Sequence, residues 1–401
     1  MIIFRPSFLF SIVTIFGISI SLHPSFYVFG LEAFLYILLA VILFFISSFY
    51  FENFKIKKCS PSSLSFLSGG FKEVLIFNLL SIFTIFISFF LLFEIYNLIQ
   101  QSASFTQYAI TYREDSISGL SVKDNVNYIV RNAEMLAISL AVIGVWFWVK
   151  GRLCFTGKVL VVILISMSIL IPVLMIARSG AIRSILVLFF FLLYIKSWSP
   201  FKLFYLVFIL FSLFTVAGYF FGYGQGYYQD SIFDAINYFF VAFVRYIYGG
   251  YYAFSQLIDG NVSVYFPMRF ISSLLGKVDG VLNNCLFCYE QRTISVFVDA
   301  GDFQGSATNV YSVFGAVYSN LGWLGLFYFP IIGALFGLMY SFHKASFILG
   351  TILLSFFVPA LVLSFFSEYF FGQIPTVLRL VFILLIIYIF SRLRIRTNFV
   401  K

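Results

Sequence analysis

Apolar runs close to 20 residues long recur along most of this chain, and that is the length a helix needs to cross a bilayer core of roughly 30 Å. Lipid offers backbone N–H and C=O groups no partners, so such runs must satisfy their hydrogen bonds internally, as helices do. Composition agrees. With 62% hydrophobic residues, 10% charged and a mean hydropathy of +1.02, the chain lies outside the globular range. It reads as an all-α polytopic integral membrane protein. About ten spans are expected, at 4–22, 31–51, 74–98, 134–149, 159–177, 181–195, 203–221, 322–341, 346–366 and 375–391. No small-residue cleavage site follows the first apolar run, which therefore reads as a retained helix rather than a signal peptide.

Charge orients the spans. With the N-terminus in the cytoplasm, the inner connections hold Lys55, Lys57, Lys58 and Lys72, then Lys150, Arg152 and Lys158, then Lys196 and Lys202, then Lys344, and the basic tail ends inside as well. This is the positive-inside pattern, with both termini cytoplasmic. It accounts for the net charge of +9 without nucleic acid. Three regions follow: 1–221 with about seven spans, a large outer loop at 222–321 containing short helices, and 322–401 with about three spans and the tail. Within the loop, residues 231–258 are apolar but interrupted by Asp234, Asn237, Arg245 and Gln256, and a charge near mid-bilayer costs about 3 kcal/mol. We expect a helix lying in the outer interface or dipping partway in, with Tyr238, Tyr246, Tyr248, Tyr251 and Tyr252 at headgroup level.

The outer basic residues are arginines except for Lys123 and Lys277, whereas lysine predominates inside. Arg presents a planar fork suited to phosphate oxygens, while Lys suffices as a topogenic charge. An anionic, sugar-containing substrate at the outer face is the functional reading. The competing reading pairs these arginines with carboxylates, of which fourteen of sixteen also fall outside or near the outer ends of spans. Arg178 occupies a tight turn, Ala177-Arg178-Ser179-Gly180, with Arg183 about one helical turn farther on; side-chain forks and free N–H groups of a helix start could hold a phosphate there. Arg379 lies one turn inside the last span, after Pro375. An intramembrane Arg is a functional candidate by default, with Glu368 as a possible structural partner.

Other classes fit less well. No internal repeat relates the two halves, as secondary transporters commonly show, and no Walker motif is present. His23 and His343 fall at opposite faces, so no metal site is expected, and no cofactor. Cys285 and Cys288 form a C-x-x-C that could close a small outer disulfide.

Gly305-Ser306-Ala307-Thr308-Asn309-Val310-Tyr311, followed by Phe314-Gly315, Tyr318 and Leu321-Gly322-Trp323-Leu324-Gly325, resembles the segment leading out of the large periplasmic loop of Wzy-type O-antigen polymerases. The Arg178-Ser179-Gly180 turn and Arg245-Tyr246-Ile247-Tyr248-Gly249-Gly250 are similar to patterns in that family. Some members carry Arg, ten residues and Gly in outer loops; Arg269 and Gly280 match that spacing, while Arg178 and Arg245 do not. The resemblance implies a membrane glycosyltransferase of the polymerase–ligase type, related in architecture to the GT-C enzymes, in a bacterial inner membrane with a periplasmic active face. Its substrates would be undecaprenyl-diphosphate-linked oligosaccharides, with membrane lipids around it and a flippase and a chain-length regulator of the same lipopolysaccharide pathway as partners. Under that resemblance Arg178, Arg245 and Arg269 would meet the diphosphates, with Arg183, Arg292 and Arg379 in support. Glu368 or Asp302 would serve as base, Tyr248 would face sugars, and Asn309 and Tyr311 would order the loop or contact substrate. An O-antigen ligase or a lipid-linked oligosaccharide flippase are the alternatives.

Overall fold

The structure is a computed structural model, and it describes residues 4–21, 30–56, 70–102, 107–108, 132–175, 178–196, 205, 247–261, 298–299, 307–308, 312–365 and 369–392. The helices are α1 (Pro6–Ser21), α2 (Leu31–Glu52), α3 (Phe71–Gln101), α4 (Ala133–Val149), α5 (Phe155–Leu174), α6 (Arg178–Lys196), α7 (247–258), α8 (Ser312–Leu321), α9 (Tyr328–Lys344), α10 (Ile348–Val362) and α11 (Phe370–Arg392). Among the described residues, five segments are long and apolar enough to cross a membrane: α2, α3, α5, the run Ser312–Lys344 and α11. Shorter apolar helices lie at Pro6–Ile20, Ala133–Val149, Gly180–Ile195 and Ile348–Val362. The protein is thus a helical membrane protein. The span expected at 203–221 lies outside the described residues. One departure from all-α is a two-residue antiparallel pairing, Val298–Asp299 with Ala307–Thr308, inside the stretch read as a loop.

The last-but-two span also differs. Helix begins at Ser312, not 322, and is broken by Gly322 (φ +55) into a 3-10 segment, Gly322–Phe327, before α9. Hydropathy reads straight through a backbone break of this kind, because the residues on both sides are apolar.

The chain forms two compact units, each discontinuous in sequence: Met1–Lys58 with Phe190–Pro375, and Cys59–Phe189 with Thr376–Lys401. In the first unit, α2 and α9 pack backbone to backbone. A Cβ on Gly333 would lie 2.7 Å from the Phe44 carbonyl, and one on Gly337 2.4 Å from that of Ser48. Within lipid, helix association rests on such close van der Waals contact rather than on the hydrophobic effect. Phe44, Phe314, Phe329 and Phe336 fill the space beside this seam. Glu52, wholly buried at the end of α2, accepts hydrogen bonds from the Ser7 N–H (2.8 Å), the Ser7 hydroxyl (3.0 Å) and the Ser48 hydroxyl (3.0 Å). Its carboxylate therefore caps the positive end of α1.

Helix α7 corrects an expectation. Tyr248, Tyr251 and Tyr252 are buried, so in this part of 231–258 the aromatics are core residues and not a headgroup belt. Glycine makes the burial possible. A Cβ at Gly17 would lie 2.3 Å from the Tyr251 ring, so α1 presents a notch that the ring occupies.

In the second unit, α3, α4 and α5 form a packed group. Gly144 of α4 admits Val161 and Phe77, whose side-chain atoms lie 2.4 and 2.7 Å from where its Cβ would be. The α4–α5 hairpin closes with a Schellman motif: Gly151 (φ +66) donates to the Trp148 carbonyl and the Arg152 N–H to that of Phe147, both at 2.9 Å.

Candidate functional site

Helix α4 opens at Asn132. An Asn at that position ordinarily turns its side chain onto the first free N–H groups, but this one makes no cap bond. Its Oδ1 instead accepts a hydrogen bond from Nη2 of Arg379 on α11. Two residues on, Oε1 of Glu134 accepts from Nη2 of Arg183 on α6 at 3.4 Å. The start of α4 thus presents two acceptors, one neutral and one anionic, to two arginines from different helices.

The space for Glu134 comes from Gly180, where a Cβ would stand 3.0 Å from Oε1 of Glu134 and 3.1 Å from Pro172. The connection read as a tight turn is short: α5 ends at Leu174, and α6 begins with Arg178. Arg178 is therefore the first residue of a helix, in the position where backbone N–H groups lack intrahelical partners.

The two arginines are not equivalent. Arg183 is neutralised by Glu134. Arg379 has only the neutral Asn132 amide on Nη2, and its Nη1 is buried without a hydrogen-bond partner among the described residues. One turn earlier on α11, Oγ1 of Thr376 is also buried and without a partner among the described residues. A charged donor left unsatisfied costs more than the about 1–3 kcal/mol of a neutral one, and an oxyanion accepting from Nη1 would remove that cost. The partner that sequence suggested for Arg379, Glu368, lies outside the described residues. Asn132 and Glu134 carried no motif; their one signal was their position just before the apolar run of α4.

In the first unit, three segments singled out in the sequence meet. Gly250 of α7 stands so close to the loop after α10 that a Cβ would be 2.3 Å from the Phe365 carbonyl oxygen, and 3.2 Å from the Ser312 nitrogen. The Val313 N–H donates to the Ser364 carbonyl at 2.7 Å. Ser312 adopts φ +45, a conformation uncommon for a residue with a Cβ. Its hydroxyl and that of Ser364 are buried and unpartnered among the described residues. The chain leading to Gly250 carries Arg245 and Tyr248, that leading to Ser312 carries Asn309 and Tyr311, and Glu368 follows Phe365 by three residues.

Of the other expected residues, Tyr248 is 1% exposed and stacks on Tyr252, a packing position and not an open sugar platform. Arg245, Arg269, Arg292, Asp302, Asn309, Tyr311, Glu368 and the two outer cysteines lie outside the described residues. No family model, no curated protein and no solved structure matches this chain.

Proposed function

We propose that this protein is an O-antigen polymerase, a metal-independent membrane glycosyltransferase that joins undecaprenyl-diphosphate-linked repeat units at the periplasmic face of a bacterial inner membrane. The observation that supports the reading is the guanidinium of Arg379, half-buried beside a neutral amide at a helix end, with its Nη1 buried and without a hydrogen-bond partner among the described residues. A hydroxyl of the acceptor sugar attacks the anomeric carbon of the donor. The bond from that carbon to the diphosphate oxygen breaks, its electron pair leaves with the lipid diphosphate, and the hydroxyl proton passes to a base such as Glu368. Negative charge grows on the leaving oxygen, and a fixed donor in a water-poor site stabilises it most in the transition state. Arg178 at the start of α6 and Arg245 and Arg269 from the loop would complete the cationic set.

The ten-span arrangement with cytoplasmic termini belongs to the same proposal, as do the flippase and chain-length partners. The test is the lipopolysaccharide banding pattern of a deletion strain, with lipid-linked glycans extracted in parallel and complementation by Arg379→Gln. Core carrying one repeat unit with the ladder lost, and no rescue by the variant, supports the reading. Polymer accumulating on the lipid carrier above bare core would make the protein a ligase, and single units stranded at the cytoplasmic face would make it a flippase.

A further inference from the structure

Helix α11 changes character along its length. Beyond Arg379 its buried residues are apolar: Leu380, Ile383, Leu384 and Ile387. Its first half carries Gln373, Thr376 and Arg379, each three residues from the next and therefore adjacent along the helix surface. Gln373 stands seven residues before Leu380, and Thr376 seven before Ile383, so at 3.6 residues per turn each shares a column with an apolar core residue. All of these spacings are set within one continuous helix.

The polar atoms of this stripe are unpaired. Gln373 and Thr376 are 1% and 2% exposed, and Oε1 and Nε2 of Gln373, Oγ1 of Thr376 and Nη1 of Arg379 all lack a hydrogen-bond partner among the described residues. Buried polar groups are nearly always paired. An apolar side chain at 373, like Leu380 in the same column, would avoid the cost of desolvating an unpaired carboxamide. The carboxamide therefore calls for a partner that arrives from outside, as the guanidinium does.

Donor and acceptor counts say what that partner is. Arg379 offers donors alone, which suits an anion. Gln373 leaves a donor and an acceptor unpaired together, and a phosphate oxygen would meet only the donor while Oε1 repelled it. A sugar hydroxyl both donates and accepts, so it pairs with either atom. Thr376 lies between the two, about 4.5 Å from Arg379 along the helix axis, and Gln373 lies about 9 Å from it, at 1.5 Å per residue. In the ten-span arrangement proposed above, α11 ends at Arg392 in the cytoplasm, so the stripe runs outward from guanidinium to hydroxyl to carboxamide. A lipid-linked glycan is ordered the same way, with its diphosphate at the membrane and its first sugar outside.

We propose that Gln373 is a specificity residue that binds the sugar joined directly to the lipid diphosphate, through hydroxyl groups of that sugar, while Thr376 and Arg379 hold the diphosphate. The inference rests on the proposed polymerase function and names the part of the substrate that α11 reads.

The test uses the full chain purified in neutral detergent and two probes, undecaprenyl diphosphate and the undecaprenyl-diphosphate-linked repeat unit extracted from the deletion strain, with affinities from native mass spectrometry titrations. The parent should bind the sugar-bearing probe more tightly than the bare diphosphate. Gln373→Met, close in volume, should reduce that preference about tenfold without weakening the bare diphosphate, and should raise the unfolding midpoint because an unpaired buried amide is removed. Arg379→Gln and Thr376→Val should weaken both probes alike. A preference unchanged in Gln373→Met would mean that the carboxamide holds water only, and would overturn the inference. So would equal weakening of both probes by Gln373→Met, or a lowered midpoint, which would show the carboxamide already paired in the fold. These failures leave the polymerase reading standing, whereas a parent that binds neither probe would remove that reading and the inference with it.

Discussion

Replacing Gly250 with Ala tests whether three chain segments are held together by one close approach. The new Cβ would stand 2.3 Å from the Phe365 carbonyl oxygen and 3.2 Å from the Ser312 nitrogen. Ordinary contact needs about 1 Å more on the first of these, and the obstacle is backbone, which no rotamer change can clear. Overpacking of this sort costs about 1–3 kcal/mol, and the rigidity of a carbonyl puts the expectation at the upper end. Gly372, near the start of α11, is the control. Nothing lies within 4 Å of its Cβ position, so Ala there should stabilise by roughly 0.5–1 kcal/mol through helix propensity alone. Equilibrium unfolding in mixed micelles, run on both variants, separates the effects. If the residues before Ser312 and after Phe365 carry substrate-facing groups, Gly250→Ala should also shorten the polysaccharide ladder in cells. A Gly250→Ala protein as stable as the parent would refute the packing argument. One that is destabilised yet makes a normal ladder would leave the packing intact and sever it from function.

Three further outcomes follow from named contacts. Asn132→Ala removes the acceptor that Nη2 of Arg379 meets among the described residues while leaving the charge, so the guanidinium loses its fixed position and polymer synthesis should fall about a hundredfold; quantified ladder intensity, normalised to membrane level by immunoblot, checks this. Glu52→Ala orphans the Ser7 N–H and two hydroxyls and should destabilise by about 3 kcal/mol, with Glu52→Gln costing roughly half as much, read by the same micelle unfolding. Ser346 holds φ +62 in a Schellman closure after α9, so Ser346→Gly should stabilise by about 1 kcal/mol, and a destabilised variant would contradict that assignment.

What the sequence revealed was what hydropathy and charge can carry. Apolar runs located the helices, because lipid leaves the backbone no other choice, and the expected spans at 31–51 and 134–149 differ from α2 and α4 by a residue at an end. It failed where a side chain's role depends on its neighbours. Tyr251 looked like a belt residue until Gly17, more than two hundred positions earlier, proved to be its socket. Gly322 did not reveal itself as a break, since nothing but its φ distinguishes it from the glycines that let α9 approach α2. At the candidate site, Arg379 and Arg183 were legible as arginines near span ends. Their partners Asn132 and Glu134 were not, because a cap-like Asn and a first-turn Glu are common at helix starts of every kind.

The geometry of α4 bears on why Arg379 is tolerated at all. Asn132 and Lys150 are 18 residues apart on one helix (150 − 132), which is about 27 Å at 1.5 Å per residue and close to the thickness of the hydrocarbon core. If Lys150 and its hairpin stand among headgroups at one face, Asn132 reaches the other face, and Arg379, bonded to it, sits at that depth and not at the bilayer centre. The about 2.5–3.5 kcal/mol insertion cost of a central Arg therefore does not apply in full, and burial of the charge alone gives no argument for function. What sets Arg379 apart is the balance of charges around it. Arg183 has an anion beside it and is neutralised, so it gains little from a ligand. Among the described residues Arg379 has a neutral partner on one nitrogen and none on the other, so its charge is available to an anion that comes and goes. A group that must bind a diphosphate and release it every cycle needs that incompleteness, since a second carboxylate in place of Asn132 would hold the guanidinium permanently and compete with the substrate for it.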